Sequence, residues 1–432
     1  MKILYVSQYF SPEMGAPAAR AVELSRHWAK DGHEVTVLTG FPNHPTGVVP
    51  LEYRRKLRRL VMRENVDGVR VIRSWLLPLP NRKPYERILN YSSFCLSAAS
   101  TGVFAPRPDV VIASSPQLLV GLSGWWLARS KQAQFIFEVR DLWPESLAAV
   151  GVGTEDSLLH RSLGELAGFL YRHSDHVVVV SPAFVEHLVH YWRVPQEKIS
   201  VIENGVETEA FSPRGASAEL RRNLGAEDKF VVCYVGTMGM AHGLEVLVDA
   251  ASELKTSAPH VLFLLIGEGA EKERIITLAH SRALTNLRFV DQQPRDQIPA
   301  YIAASDAALV VLRKSPVFRT VIPTKMLEFM ACARPVILGV DGQARNIMDD
   351  ARAGVFVEPE NATVLANTVR TLAANAELCR QLGRNGRRYI VEHFSRQRTA
   401  RAYISLLDNL RGRQQQRSAH ACYGGSEPVP QR

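Results

Sequence analysis

Phe230-Val231-Val232-Cys233-Tyr234-Val235, then Gly236-Thr237-Met238-Gly239-Met240-Ala241-His242-Gly243, then Leu244-Glu245 and an apolar-periodic run to Leu254, is the passage that decides the fold. An unbroken apolar, Val-rich run of this length suits a strand covered on both faces. Glycines end it and a helical pattern follows at once. This is the unit from which doubly wound α/β domains are built, and its glycine turn lets backbone amides approach a phosphate closely. The spacing Gly-x-x-Gly-x-x-x-Gly fits a variant nucleotide turn, and equally a plain strand-to-helix connection.

The same alternation repeats on both sides of this passage. Downstream, strands are expected at 261–266, 287–290, 307–312, 335–338 and 355–357, with helices at 244–254, 271–280, 295–303, 325–332, 361–374 and 376–393. Upstream, strands are expected at 3–7, 34–39, 69–74, 110–113, 134–139, 176–180 and 199–202, with helices at 18–31, 117–130, 156–173 and 182–192. Between the two series Asn204-Gly205, Ser212-Pro213 and Gly215 interrupt the pattern. The organisation read from this is a first domain over 1–203, a linker over 204–228, a second domain over 229–394, a helix over 395–411 that returns to the first domain, and a disordered tail over 412–432. Two such units in tandem place the ligand site in the cleft facing the carboxyl ends of their strands.

The 432 residues are 46% hydrophobic and 22% charged, an ordinary globular composition. A net charge of +9 favours anionic partners: nucleotides, phospholipid surfaces or nucleic acid. Cys95, Cys233, Cys332, Cys379 and Cys422 are scattered and form no Cys-x-x-Cys pair, so core filling is expected rather than disulfides or zinc. The chain opens directly on the strand Lys2–Val6 with no leader pattern, and no run of about 18 apolar residues occurs. A cytoplasmic location is therefore expected. Ile88–Phe104 reads as a buried or interfacial helix.

Four further passages carry candidate chemistry. In Pro323-Thr324-Lys325-Met326-Leu327-Glu328, Thr324 reads as a helix N-cap, so free N–H groups there form an anion site. Lys325 adds a cation that opposes the helix dipole, which calls for an anion to offset it. Glu328 shares its face, too late by one position for a capping box, and suits a ribose diol. A plain Lys325–Glu328 surface pair is the alternative. Gly15, in Ser11-Pro12-Glu13-Met14-Gly15-Ala16-Pro17, precedes the first helix and is either a phosphate or sugar contact or a simple helix entry. Arg140 and Asp141 stand at the carboxyl end of a strand, where Arg140 is placed to stabilise developing charge and Asp141 to orient or deprotonate a hydroxyl. A structural Arg–Asp pair is the alternative. Finally, Tyr53-Arg54-Arg55-Lys56-Leu57-Arg58-Arg59-Leu60-Val61 reads as a helix with residues 53, 57, 60 and 61 on one apolar face, suited to anionic lipid over 52–64, or as a solvated basic face. The histidines form no ligand cluster and no Asp-x-Asp occurs, so neither a metal nor a cofactor is expected.

Together these residues resemble family 4 of the retaining glycosyltransferases, whose fold is GT-B: two Rossmann-like doubly wound domains facing a central cleft. Val201-Ile202-Glu203-Asn204-Gly205-Val206 with Phe211 is similar to the family's interdomain segment, Ile266-Gly267-Glu268-Gly269 to its second turn, and Pro323–Glu328 to the end of its Glu-x7-Glu motif. Ser7–Pro17, Gly40–Pro45 and Val139–Ser146 resemble a bacterial subgroup of O-antigen and capsule assembly that includes L-fucosamine transferases. The resemblance implies metal-independent transfer of a sugar, an N-acetylated hexosamine or deoxyhexosamine, from a UDP-sugar to an undecaprenyl-pyrophosphate-type acceptor at the inner membrane face. It implies donor binding by Gly15, Gly236, Thr237, Gly239, Arg319, Thr324, Lys325 and Glu328, and catalysis by Arg140, Asp141 and Lys325. Four departures stand out: Thr320 replaces the motif's first Glu, Thr237 and His242 replace a basic pair, Arg140 replaces a histidine, and Gln343 replaces a Glu. Lys325, Arg319 and Arg313 are then the cations left to meet a pyrophosphate. A GT-B-fold epimerase acting on the donor alone is the alternative within this fold. A nucleic-acid-binding protein is disfavoured, because no aromatic–basic platform or zinc module occurs.

Overall fold

The computed structural model describes residues 1–44, 46–80, 83–149 and 157–423. Pro45, Asp156 and the end of the tail, all used above, lie outside the described residues. The first half contains strands β1 (Lys2–Val6), β2 (Glu34–Gly40), β3 (Val61–Val66), β4 (Val69–Ser74), β5 (Val110–Ser114), β6 (Gln134–Val139), β7 (His176–Val179) and β8 (Ile199–Val201). Its helices are α1 (Ala16–Lys30), α2 (Leu51–Leu57), α3 (Pro84–Gly102), α4 (Leu119–Lys131), α5 (Glu145–Ala149), α6 (Leu158–His173) and α7 (Pro182–His190). The second half contains β9 (Phe230–Val235), β10 (Val261–Ile266), β11 (Leu287–Val290), β12 (Ala307–Val311), β13 (Val336–Gly339) and β14 (Gly354–Phe356). Its helices are α8 (Ala218–Asn223), α9 (Glu245–Ser257), α10 (Lys272–Ser281), α11 (Ile298–Ala303), α12 (Thr324–Ala331), α13 (Gln343–Ala351), α14 (Ala362–Ala373), α15 (Ala376–His393) and α16 (Arg396–Tyr423).

Two separate sheets result. The first has eight strands in the order β3-β4-β2-β1-β5-β6-β7-β8, parallel except for β3. The second has six, all parallel, in the order β11-β10-β9-β12-β13-β14. In chain order this is the 3-2-1-4-5-6 arrangement of the dinucleotide-binding fold, with its switch point between β9 and β12. The patterning explains the layers. Val231, Cys233 and Val235 of β9 enter one apolar cluster, and Val232 and Tyr234 enter the cluster on the opposite face. Side chains alternate along a strand, so only a run apolar at every position can fill both layers.

The segment after β8 crosses to the second half, and the chain crosses back after α15. The two crossings touch: Val206 N–H donates to Phe394 O at 2.9 Å and Arg396 N–H to Val206 O at 2.8 Å. α16 then packs on α1, where the Trp28 indole donates to Ala400 O at 3.1 Å and Tyr403 joins the Tyr5 and Trp28 cluster. Its helical course runs to Tyr423, past the point at which the sequence analysis began a disordered tail. Backbone hydrogen bonds inside a helix do not need an apolar stripe, and the tail's Arg and Gln residues are good helix formers.

The basic passage also differs from expectation. The helix α2 stops at Leu57, a turn with Leu60 at φ 62° follows, and β3 begins at Val61. Residues 53, 57, 60 and 61 therefore do not share a helix face. Tyr53 is buried against Phe41 and Val49, with Leu57 packed beside them.

Candidate active site between the two sheets

A cleft of about 430 Å³ opens between the halves, walled by the segments that follow β1, β6, β9, β10, β11 and β12. Its second-half wall is built around two glycine turns. Gly236 N–H donates to Ile266 O at 2.9 Å and Met238 N–H to Glu268 O at 2.8 Å, so the turns after β9 and β10 lie backbone against backbone. A Cβ on Gly267 would stand 2.0 Å from Gly236 O, a separation no side chain tolerates.

Into this wall points the start of α12. Pro323, not Thr324, is its N-cap, and no side chain caps its first N–H groups. Thr324 is the first helical residue, because Pro323 already supplies the extended backbone that a cap needs. Lys325 lies in that first turn, with Nζ 3.9 Å above the Tyr234 ring centroid. An added Cβ on Gly236 would stand 3.1 Å from the same Nζ. Part of the Lys325 side chain reaches the cleft, yet Nζ itself is shielded and has no hydrogen-bond partner. Burial pulls this ammonium down to about 7, against the opposing influence of Glu328. His242, edge-on to Tyr234, is held neutral: burial, then Lys325, pulls it down to about 3. Among the described basic residues lining the second-half wall, Arg295 is ion-paired and Lys325 is left without a partner.

Glu328, buried one turn further on, does not pair with Lys325. Its Oε1 accepts from Arg295 Nη1 at 2.9 Å, and Arg295 also donates to Glu23 of α1 at 2.7 Å. Glu23 in turn accepts from Arg396 at 2.7 Å. The carboxylate expected at a ribose diol, or else paired with Lys325, is therefore the end of a chain of ion pairs reaching the other half. Arg295 was missed as a site residue. It follows β11 in Gln292-Gln293-Pro294-Arg295, and a charge at the carboxyl end of a strand was the available signal.

The first-half wall carries Gly15, Arg140 and Asp141. Gly15 precedes α1 at φ 127°, a conformation that favours glycine. Five residues on, Arg20 is fully buried and donates to Glu138 of β6 at 2.8 Å and to Ile202 O at 3.0 Å. This pair locks the start of α1 to the strand that leads into Arg140. Burial would raise the Glu138 carboxyl, but Arg20 outweighs it and holds the group well below the usual carboxylate range. Arg140 N–H donates to Ser115 Oγ at 2.9 Å, while its side-chain Nε is buried without a partner. Burial, then the nearby Arg20, lowers the Arg140 guanidinium, and burial raises the Asp141 carboxyl against the pull of Arg140. Glu13 was not singled out as a site residue. Its Oε1 accepts from Asn43 N–H and His44 N–H, each at 2.9 Å, fixing the loop from which His44 lines the cleft.

The structure thus brings Gly15, Arg140, Asp141, Gly236, Thr237, Thr324, Lys325 and Glu328 to one cleft. It does not bring Arg319, Arg313 or Gly239 to its lining. Arg319 is exposed and pairs with Asp341 at 3.4 Å, and Arg313 is held by Glu245 at 2.9 Å and Met240 O at 2.7 Å. Gly239 caps a 3-10 turn, Met240–His242, of which His242 reaches the cleft. Among the described residues no group of three or more His, Cys, Asp or Glu is placed to hold a metal ion, and no helix is long and apolar enough to cross a membrane.

Comparison with known proteins agrees with this construction. Residues 15–205 match the family described as glycosyl transferase 4-like domain, and residues 217–389 match glycosyl transferases group 1. Among curated relatives, the putative colanic acid biosynthesis glycosyl transferase WcaI of Escherichia coli K12 is 26% identical over 86% of this chain and 91% of its own. Among solved structures, sucrose-phosphate synthase from Thermosynechococcus elongatus superposes with a TM-score of 0.74 at 22% identity, over 95% of this chain and 99% of its own. Anabaena HepE in complex with UDP-glucose gives 0.70 at 17% identity, over 95% and 100%. The fold is GT-B.

Proposed function

From the premise that the chain joins a glycosyl transferase 4-like domain to a group 1 glycosyl transferase domain, and so is a glycosyltransferase, we propose that it moves a sugar from a UDP-sugar to a lipid-pyrophosphate-linked glycan, with retention of configuration and without a metal, in bacterial surface polysaccharide synthesis. One observation carries the donor site: Lys325 Nζ and Arg140 Nε are buried without partners in the walls of the same cleft, one from each half. A buried donor left without an acceptor is costly, and an anion between the two walls removes that cost. A diphosphate has the charge for both. The relation to HepE, solved with UDP-glucose, supports UDP as its carrier. The relation to WcaI supports surface polysaccharide as the destination.

In this reading the pyrophosphate lies over the Gly236–Thr237 turn, at the uncapped start of α12 with Thr324 and Lys325. Glu328, oriented by Arg295, takes the ribose hydroxyls with its second oxygen. The sugar projects towards Gly15 and Arg140. As the bond from the anomeric carbon to the diphosphate oxygen breaks, Lys325 and Arg140 meet the growing negative charge. The acceptor hydroxyl, oriented by Asp141, attacks the same face that the diphosphate leaves. Its proton passes to the departing phosphate oxygen, so UDP leaves and no separate base is needed. The transferase families disfavour an epimerase acting on the donor alone.

The test is a thermal-shift comparison of UDP, GDP, ADP and NAD, each at roughly 100 times a plausible dissociation constant, where a true ligand adds ~2.7 kcal/mol. Stabilisation by UDP alone is expected. Stabilisation by GDP alone overturns the donor, and by NAD alone the enzyme class.

A further inference from the structure

The outer side of α3 is apolar. Tyr85, Ile88, Leu89 and Leu96 are 56%, 47%, 48% and 70% exposed, and their spacing puts them on one helical face. Phe104, just past the helix, is 78% exposed. The inner face of the same helix buries Phe94 and Ala98 in the first domain. The turn after α2 joins this strip. Leu60 O accepts the Trp75 N–H at 2.8 Å, and Trp75 O in turn accepts from the Ser97 hydroxyl, next to Leu96. Leu60 is itself 59% exposed. It ends a run in which Arg54, Arg55, Lys56, Arg58 and Arg59 are all exposed and Glu52 is the single acid.

We infer that this face, centred on Leu60 and Leu96, docks on an anionic lipid bilayer. Its lipid-facing residues are not those of a continuous 53–61 helix, since Tyr53 and Leu57 pack inwards. Large apolar side chains beside a run of five cations suit the headgroup boundary of an anionic membrane, where each Lys or Arg adds to binding. Single exposed apolar residues are ordinary, but a contiguous strip on a surface helix marks an interaction face. The inner side of α3 also leads to the cleft: Asn90 donates to Asn43 Oδ1 at 3.1 Å, and Asn43 precedes His44 on the cleft wall. A bilayer on α3 is thus one helix away from the first-half wall. Delivery of a lipid-borne acceptor rests on the transferase reading; docking itself does not.

The experiment is flotation of the full chain with vesicles of phosphatidylcholine alone or mixed with phosphatidylglycerol, in parallel with the UDP thermal shift. The protein is expected to float with the mixed vesicles and to release at high salt. Arg55→Ala and Arg59→Ala should each lower partitioning about fivefold. Leu96→Ser and Phe104→Ser should each lower it about tenfold or more. The UDP response should be unchanged in all four, showing an intact fold and donor wall. No vesicle binding, or binding untouched by the substitutions, overturns the inference. So does a dimer in sedimentation that Leu96→Ser dissolves without any vesicle binding, because the face then belongs to a second copy. A protein that floats but ignores UDP leaves docking standing and overturns the donor reading instead.

Discussion

Arg295 Nη2 lies 2.7 Å from Glu23 Oε1, joining residues 272 positions apart and on opposite sides of the cleft. The same guanidinium holds Glu328 on the donor wall, and Glu23 holds Arg396 at the return crossing. Mutual pairing raises the Arg295 guanidinium despite its burial, through Glu328 first and then Glu23. The two halves are therefore tied by charge at a point beside the proposed ribose site.

Cutting this tie should be felt unequally at its members. Arg295 is 32% exposed, so Arg295→Ala should cost about 2 kcal/mol, below the range for fully buried pairs. Glu23→Gln should cost more, about 3 kcal/mol or above, because it leaves the buried Arg396 without its carboxylate. Denaturant unfolding measures both, and a Glu23→Gln protein as stable as wild type contradicts the network.

Lys325→Met should separate stability from function. Removing an unpaired buried ammonium should stabilise the unliganded protein by about 1 kcal/mol or more. Transfer should fall at least ~10²-fold, the scale of a lost transition-state donor. A variant that is both less stable and fully active would sink the assignment.

Donor binding should take up a proton above neutral pH. Lys325 sits at about 7 when unliganded, and a diphosphate beside it raises that value. The bound form then holds more protons, so affinity for a UDP-sugar is greatest below about 7 and declines as pH rises towards the liganded value. Calorimetry at pH 8 in buffers of different ionisation enthalpy should show uptake approaching one proton, and none in Lys325→Met. Release of a proton in wild type contradicts the scheme.

The two glycine positions should behave differently. Gly267→Ala drives a Cβ into Gly236 O and should abolish the UDP thermal shift by displacing the β9 turn. Gly15→Ala meets no atom closer than 3.8 Å, and should cost only the strain of its positive φ, about 1–3 kcal/mol. Equal losses in both would contradict the backbone-to-backbone packing.

Arg319→Ala should leave UDP-sugar turnover within about twofold of wild type, because an exposed ion pair of this kind is worth ~1 kcal/mol or less. A loss matching that of Lys325→Met would put Arg319 back at the donor.

Much of the architecture was legible because both-face burial leaves a plain signature. Val69–Ser74, Gln134–Val139, Phe230–Val235, Val261–Ile266 and Leu287–Val290 are strands with the bounds expected of them. β3 was not legible: its Val61-Met62-Arg63-Glu64-Asn65-Val66 is an edge strand whose polar positions blended into the basic run before it. α13 was missed as well, since Gln343–Ala351 begins after Gly342 with few large apolar residues.

The sequence alone determined the two doubly wound halves, the glycine turn after β9, and the placing of Lys325 at a helix start, because these follow from period, turn chemistry and chain neighbours. The partners of these charges, by contrast, were set by contacts between distant segments. Lys325 and Glu328 look like a pair at helical spacing, yet the first is left unpaired over Tyr234 and the second is bound by Arg295. Arg319, attractive by position in the chain, turns to Asp341 instead. A side chain's charge is written in the sequence. What it neutralises depends on which distant segment folding brings within about 3 Å, the reach of a hydrogen bond.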